Sequence, residues 1–150
     1  MNANEVDQHH KTDALIARCR GLAPIATGVA HPCDESSLSG AIDAAEAGII
    51  QPFFVGPAAK IRTVAQKLKF NLGRYEIVDV PHSHAAAENA VELVRLGKAE
   101  LLMKGSLHTD ELLAEVVRKD TGLRTERRIS HVFVMDVPTY PKAPGSSVAS

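Results

Sequence analysis

The chain has 150 residues, of which 45% are hydrophobic and 23% charged, so it is long and apolar enough to form a globular domain with a real core. Its net charge of −1 excludes a general attraction to nucleic acid or membrane, and the lack of Trp argues against stacking on single-stranded nucleic acid. No apolar run approaches the roughly 18 residues that a membrane span needs. With only two cysteines, we expect a cytoplasmic protein with reduced thiols and neither a nucleic-acid nor a membrane partner.

The first part of the chain carries a helical pattern followed by an apolar run. Apolar residues recur at helical spacing over residues 15–22, which predicts a helix. Residues 24–30 (PIATGVA) then predict the first strand, because they are short, apolar and partly β-branched. Asp34 is a suitable N-cap for a second helix, which Gly48 helps to end.

The middle of the chain repeats this alternation. Residues 49–55 (IIQPFFV) predict the second strand, and Pro52 is expected to mark its entrance because proline cannot donate to a ladder. Helical spacing over residues 61–68 predicts a third helix. Residues 75–80 (YEIVDV) predict the third strand and residues 83–96 a fourth helix, which the following glycine closes.

The last part of the pattern contains two more predicted strands. Residues 100–103 predict the fourth strand, 109–119 a helix and 131–136 (HVFVMD) the fifth strand. Helices of this length between strands imply right-handed βαβ crossovers. We therefore predict an α/β fold with a mainly parallel five-stranded sheet and helices on both faces, in a strand order that the sequence does not give.

A polar turn, residues 104–110 (KGSLHTD), lies between the fourth strand and the helix after it. A helix start exposes N–H groups and partial positive charge, and open α/β sheets hold ligands at the carboxyl ends of their strands. Lys104 can neutralise a phosphate, and Ser106, His108 and Thr109 can donate hydrogen bonds to a phosphoryl or acyl oxygen. A helix cap at Thr109 and a solvated Lys104 are the alternatives.

A basic loop, residues 122–128 (GLRTERR), precedes the predicted fifth strand. Guanidinium groups bind phosphates through paired hydrogen bonds, so one of Arg124, Arg127 and Arg128 is a candidate for contact with a substrate phosphate. Arg128 is the preferred candidate. A solvated face, with Glu126 paired to one arginine, is the alternative.

Polar residues also follow the first and third predicted strands. Residues 31–34 (HPCD) could lie in the same cleft, although a helix cap at Asp34 is the favoured interpretation. Cys33 has no base partner fixed by the sequence, which argues against a nucleophile. His82 and His84 lack a third ligand at useful spacing, so we predict no metal site and expect both to line this edge.

Four segments of the chain resemble the phosphate acetyl/butyryl transferase family. They are VAHPCDESSLSGAIDAAEAGII, FFVGPAAKI, EIVDVPHSHAAAENAVELVRLGKAELLMKGSLHTDELL and GLRTERRISHVFVMDVPTYP. The chain is most similar to the branch described as bifunctional enoyl-CoA hydratase/phosphate acetyltransferase. The resemblance covers residues 10–141, which we interpret as the amino-terminal portion of a two-domain acyltransferase module. Residues 142–150 depart from the family pattern and are predicted to be a disordered tail.

The resemblance implies reversible acyl transfer between phosphate and coenzyme A, with acyl phosphate, phosphate and CoA as substrates and no permanently bound cofactor. Family members are longer, and the residues credited with activating the CoA thiol lie in the carboxyl half that this chain lacks. Its own catalytic residues are therefore unknown, and we expect the chain to be inactive alone. A non-catalytic module that binds phosphate or CoA, or that pairs with a full-length subunit, is the alternative. Homo-oligomer formation stays open.

Overall fold

A computed structural model describes residues 10–137 of the chain. Helices and parallel strands alternate through this range, in the order α1 (His10–Cys19), β1 (Ile25–Ala30), α2 (Glu35–Glu46), β2 (Ile50–Gly56), α3 (Ala58–Lys67), β3 (Glu76–Asp79), α4 (Ser83–Arg95), β4 (Leu101–Lys104) and α5 (Thr109–Val116). The described residues form two compact units, one of residues 23–125 and one of residues 10–22 together with 126–137. None of the helices in the described range is long and apolar enough to cross a membrane.

The unit of residues 23–125 is built on a parallel sheet with the strand order β3-β2-β1-β4. β1 pairs with β2 along its whole length, from Ile25 opposite Ile50 to Ala30 opposite Val55, and pairs with β4 from Thr27 onward. The chain moves outward from β1 through β2 to β3, then returns to the other side of β1 to form β4. The direction of winding therefore reverses between β1 and β4, which makes this pair the switch point of the sheet.

Helices cover both faces of the sheet, as the sequence predicts. Successive strand residues point to opposite faces, so Val29 and Phe54 face α2 and α3 while Ala30 and Val55 face α4 and α5. The first cluster is completed by Leu38, Ala41, Ile42, Ile61, Val64 and Ala65, and the second by Val80, Ala86, Ala87, Ala90, Val91, Leu107 and Leu112. The burial of one apolar cluster on each face of the sheet is the main contribution that stabilises this α/β fold.

Pro52 lies inside β2 rather than at its entrance. The backbone N–H and C=O groups of successive β2 residues point in turn toward β1 and toward β3. Those of Gly56 point toward β3, because its carbonyl accepts a hydrogen bond from Val80 N at 3.2 Å. Pro52 faces the same side as Gly56, but pairing with β3 begins only at Phe53. The missing N–H of the proline therefore removes no bond from either ladder.

The predicted fifth strand is wrong. Residues 131–136 adopt no regular secondary structure, and the sheet of the described chain has four strands. The side chains of Val132, Phe133, Val134 and Met135 are 53–66% exposed. Apolar and β-branched residues form a strand only where a neighbouring strand supplies hydrogen bonds and a core covers one face, and composition provides neither.

The second unit consists of α1 and residues 126–137. The backbone N and the Oγ1 of Thr12 both donate to Asp136 Oδ2, at 2.9 and 2.8 Å, and Lys11 Nζ donates to Val137 O at 2.6 Å. A carboxylate is stabilised by the amide groups at the start of a helix, so these contacts hold residues 136–137 against the first turn of α1. The predicted tail, residues 142–150, lies outside the described residues.

Candidate functional site

The carboxyl ends of the strands form one edge of the sheet, and α2, α3, α4 and α5 begin there. α2 follows β1 on one face of the sheet, whereas α5 follows the neighbouring strand β4 on the other face. Chain segments that leave two adjacent strands for opposite faces open a crevice, and ligands of open parallel sheets bind in it. The predicted turn, residues 104–110, lies at this switch point, and residues 31–34 lie beside it.

In three of the four helices that begin at this edge, a backbone amide of the first turn donates a hydrogen bond to a side chain. Asp34 Oδ1 accepts from Ser37 N at 2.8 Å, which confirms the predicted cap of α2. Asp79 Oδ1 accepts from the backbone N of the first residue of α3 at 2.9 Å. His82 Nδ1 accepts from Ala85 N at 3.1 Å in α4. These bonds satisfy amide groups that a helix start leaves without partners.

α5 begins without such an acceptor. His108 occupies its N-cap position in an extended conformation and makes no side-chain cap bond, and the hydroxyl of Thr109 has no partner within residues 10–137. Lys104, His108 and Thr109 are all exposed. The alternative in which Thr109 caps the helix is therefore not realised in the described chain. The amide groups and the partial positive charge of this helix start remain available to an anion.

Ser106 joins the β4–α5 turn to the segment after β1. Its Oγ donates to His31 O at 2.8 Å and accepts from Cys33 N at 3.1 Å, and its own backbone N donates to His31 O at 2.8 Å. The Nδ1 of His31 lies 3.1 Å from both the O and the Oγ of Ser106. The hydroxyl that the sequence assigned to substrate contact is therefore already engaged between the two segments.

Gly105 permits this close approach. Its backbone N donates to Ala30 O at 2.8 Å, and a Cβ at this position would lie 2.3 Å from Ala30 O and 2.4 Å from His31 O. Only glycine fits against backbone atoms at such distances. Lys104 Nζ donates to Gly105 O at 3.3 Å, which holds the predicted cation beside the turn.

Hydrogen bonds and burial at this edge shift the pKa values of two groups. Hydrogen bonds from Ser37 hold the pKa of Asp34 below its ordinary value, with a smaller contribution from the charge of Lys104. Burial raises the pKa of the Cys33 thiol, an effect that the charge of Lys60 partly offsets. Cys33 is therefore a protonated thiol near neutral pH, which is unsuited to nucleophilic attack.

The predicted arginines are divided between the two units. Arg124 follows α5 in the unit of residues 23–125, whereas Arg127 and Arg128 belong to the other unit. All three are exposed. The contact of Arg128 with a phosphate stays a prediction.

The two histidines after β3 have other partners. His82 caps α4, and the Nε2 of His84 lies 3.6 Å from Oε1 of Glu115, a carboxylate on α5 that is 3% exposed. Arg118 Nη1 lies 3.0 Å from the other oxygen of Glu115. Among residues 10–137, no group of three or more His, Cys, Asp or Glu side chains could hold a metal ion.

Two charged residues of this edge were not anticipated from the sequence. Asp79, which ends β3, caps α3, and the charge of Lys60 reaches Cys33. An acid at the end of a predicted strand was a usable signal for Asp79, since such positions meet the helix starts of neighbouring segments. Nothing in the sequence pattern marks Lys60.

A surface depression in the unit of residues 23–125 lies at the opposite edge of the sheet, near the amino ends of the strands. It has a volume of about 450 Å³ and is lined by residues from the end of α3, the α3–β3 loop and β3, among them Arg62, Asn71 and Tyr75. Ligands of open parallel sheets bind outside the carboxyl ends of the strands, so we place the candidate site at the switch point despite the size of this depression.

The fold and this edge define the chain as an open parallel α/β protein whose switch point includes the start of α5, a helix start without a side-chain cap bond. No family model matches the sequence. The chain is 67% identical to a phosphate acetyltransferase of Rhizobium meliloti over 89% of this chain and 42% of the relative. It is 50% identical to a phosphate acetyltransferase of Rickettsia felis (85% and 37%) and 38% identical to a phosphate butyryltransferase of Clostridium beijerinckii (87% and 43%).

The chain thus belongs to the phosphate acetyl/butyryl transferase family, over a stretch consistent with its amino-terminal part. It spans about two fifths of the length of these relatives, since it covers 37–43% of each. The structure of the EutD phosphotransacetylase from Staphylococcus aureus is similar to the present fold, with a TM-score of 0.53 and 19% identity over 67% of this chain and 39% of that one. At this identity the similarity concerns the fold alone.

Proposed function

We propose that this chain forms the phosphate-binding part of a phosphate acyltransferase, which exchanges an acyl group between phosphate and coenzyme A. Family membership supports the class of reaction. The observation that carries the proposal is the start of α5, where amide groups lack a side-chain acceptor among the described residues and Lys104, His108 and Thr109 are exposed. A phosphate dianion needs such N–H groups and a neighbouring cation.

Each predicted residue has a proposed part in binding. Lys104 neutralises phosphate charge, and His108 and Thr109 donate hydrogen bonds to its oxygens. Ser106 acts chiefly by holding the turn, because its hydroxyl already donates to His31 O. Arg128 is proposed as a second contact with a substrate or CoA phosphate, on the strength of guanidinium chemistry.

In the proposed reaction, the CoA sulfur attacks the carbonyl carbon of the acyl phosphate. A C–S bond forms, the C–O bond to phosphate breaks, and the thiol proton passes to a base. The part of this chain is to bind the phosphate group and to stabilise the charge that it gains as it departs. No residue of this chain is proposed as the base, and CoA is a co-substrate rather than a resident cofactor.

A chimera tests the proposal. Residues 10–137 replace the matching part of the Rhizobium meliloti enzyme, and acetyl transfer from acetyl phosphate to CoA is measured. We expect an active chimera. In it, Ser106→Ala with Thr109→Val should lower kcat/KM for acetyl phosphate by a factor that corresponds to a loss of about 1–3 kcal/mol of transition-state stabilisation.

Thr63→Val is the matched control, because Thr63 is exposed on α3 and its hydroxyl donates to Ala59 O at 2.8 Å. Unchanged kinetics with a lowered Tm in the double variant would show that the hydroxyls of Ser106 and Thr109 serve the fold alone.

A non-catalytic binding module is the second candidate, because the start of α5 could bind phosphate without any base for the CoA thiol. We expect the unmodified chain to bind phosphate without acyl transfer. A folded but inactive chimera, together with phosphate binding by the chain, would favour the binding module. Measurable acyl transfer by the chain alone would contradict our expectation that turnover needs the remainder of the enzyme.

A further inference from the structure

We infer that His31 is a positioning residue of the proposed phosphate site, which fixes the β4–α5 turn through its imidazole. The inference rests on the proposed function, because the turn that His31 holds is the proposed binding element. His31 follows β1 directly, on the opposite side of the switch point from Lys104, and is half-buried.

The hydrogen-bond pattern fixes the tautomer of His31. The carbonyl oxygen of Ser106 can only accept, so the Nδ1 of His31, 3.1 Å away, must carry the hydrogen. The hydroxyl hydrogen of Ser106 points to His31 O, at 2.8 Å, which leaves the Oγ lone pairs for Nδ1–H and for Cys33 N. Each donor in this arrangement has an acceptor, and the two segments are joined in both directions.

The contact does not depend on the charge of the imidazole. Nδ1 carries a hydrogen both in this neutral tautomer and in the imidazolium form. We therefore expect His31 to hold the turn in both of these forms. The Nε2 atom takes no part in the contact.

The backbone of His31 supplies an independent observation. Its φ is +56°, in the left-handed region that favours glycine. Retaining a full side chain at such a position is unfavourable unless surrounding contacts stabilise it. The contacts with Ser106 and the close fit of Gly105 against His31 O are such contacts.

The consequence concerns the start of α5. The backbone N–H groups of Gly105 and Ser106 are used by Ala30 O and His31 O, so the amide groups available to an anion begin beyond Ser106. Their direction depends on how the turn lies on the segment after β1. Loss of the imidazole would loosen the turn and misalign the amide groups, together with Lys104 and His108, without removing a ligand of the phosphate.

Three variants of the full chain separate the imidazole from the backbone. His31→Gly keeps the backbone conformation and removes the ring. His31→Asn tolerates a positive φ and places an amide nitrogen near the position of Nδ1. Lys69→Gly is the matched control, because Lys69 also has a positive φ, of 58°, but lies in the α3–β3 loop.

Two measurements are made on each variant: the Kd for inorganic phosphate by calorimetry, and the hydrogen-exchange protection of the Ser106 and Cys33 amides by NMR. For His31→Gly we expect a Kd raised about five- to tenfold and a similar loss of protection, the scale of one or two hydrogen bonds. His31→Asn should stay within about twofold of the wild type in both measurements, and Lys69→Gly should change neither.

The outcomes distinguish this inference from the proposed function. If the wild type binds phosphate and His31→Gly binds it equally well, the positioning role alone is overturned. Unchanged protection of the two amides in His31→Gly would overturn it as well. A wild-type chain that binds no phosphate overturns the proposed function, and the role of His31 at a phosphate site falls with it. Phosphate binding and amide protection that are weakened in His31→Gly but retained in His31→Asn support the inference.

Discussion

Gly105 is the residue on which the approach of the β4–α5 turn to β1 depends. A Cβ there would lie 2.3 Å from Ala30 O and 2.4 Å from His31 O, and this backbone is held in place because His31 N donates to Val55 O at 2.7 Å. We expect Gly105→Ala to lower the free energy of unfolding by about 2–3 kcal/mol, the upper part of the range for single substitutions. Urea unfolding followed by circular dichroism measures it.

Gly40→Ala is the matched control. Gly40 lies within α2, and the nearest atom to an added Cβ is Met103 Cε at 3.9 Å. This substitution should raise the free energy of unfolding by about 0.5–1 kcal/mol, because alanine favours the helix. If Gly105→Ala unfolds at the same urea concentration as the wild type, the close approach of Gly105 to the backbone oxygens of Ala30 and His31 is contradicted.

Asp34 gives the stability a defined pH dependence. Its folded-state pKa is lowered, first by the hydrogen bonds from Ser37, so the ionised cap adds stability above the unfolded pKa of about 3.9 and loses it as the pH falls through the folded pKa. We expect Asp34→Ala to lower the free energy of unfolding by about 1 kcal/mol at pH 7 and by less at pH 3. Asp34→Asn is the control, since a neutral cap lacks this pH dependence. An equal effect of the alanine substitution at both pH values would contradict the role of the ionised carboxylate.

At this scale the sequence identified the polar turn but not what each residue does in it. Lys104, His108 and Thr109 are exposed at a helix start, as their positions predict. The engagement of Ser106 was not predictable, because its partner His31 lies 75 positions away and becomes its neighbour only through the pairing of β1 with β4.

The packing of α4 against α5 includes a buried carboxylate. Glu115 is 3% exposed, and its oxygens lie 3.0 Å from Arg118 Nη1 and 3.6 Å from His84 Nε2. Removing the arginine leaves this carboxylate with a poorer set of partners. We expect Arg118→Met to lower the free energy of unfolding by about 1–3 kcal/mol.

A double variant isolates the charge of Glu115. Glu115→Gln added to Arg118→Met should recover part of the lost stability, because the amide is neutral and is less unfavourable to bury. Both are compared with the wild type by urea unfolding at pH 7. Equal stability of Arg118→Met and the wild type would show that solvent already satisfies Glu115.

The elements predicted from local patterns differ from the observed ones where tertiary contacts decide. The first four predicted strands are present with ends shifted by a residue or two, because apolar periodicity and turn residues mark them. α5 ends at Val116, before the predicted residue 119, because Leu123 N donates to Val116 O at 2.7 Å and turns the chain. The fifth strand needed a ladder partner, which no local pattern reports.

For the molecule as a whole, alternation of strands and helices was sufficient to predict a parallel sheet. The order β3-β2-β1-β4 was not predictable, since any right-handed arrangement of these crossovers satisfies the pattern. The location of the site depended on this order. Polar residues follow β1, β3 and β4, but only the adjacency of β1 and β4 brings His31 and Ser106 together.

Both hydrophobic clusters are formed entirely by residues of the unit 23–125. We therefore expect a chain of residues 23–125 to fold alone, with a cooperative urea transition and the far-ultraviolet circular dichroism of an α/β protein. A chain of residues 23–104 is the control: it lacks Leu107 and Leu112, both buried in the cluster of α4 and α5, and should lose the cooperative transition. A broad transition for residues 23–125 would mean that this core depends on residues outside the unit.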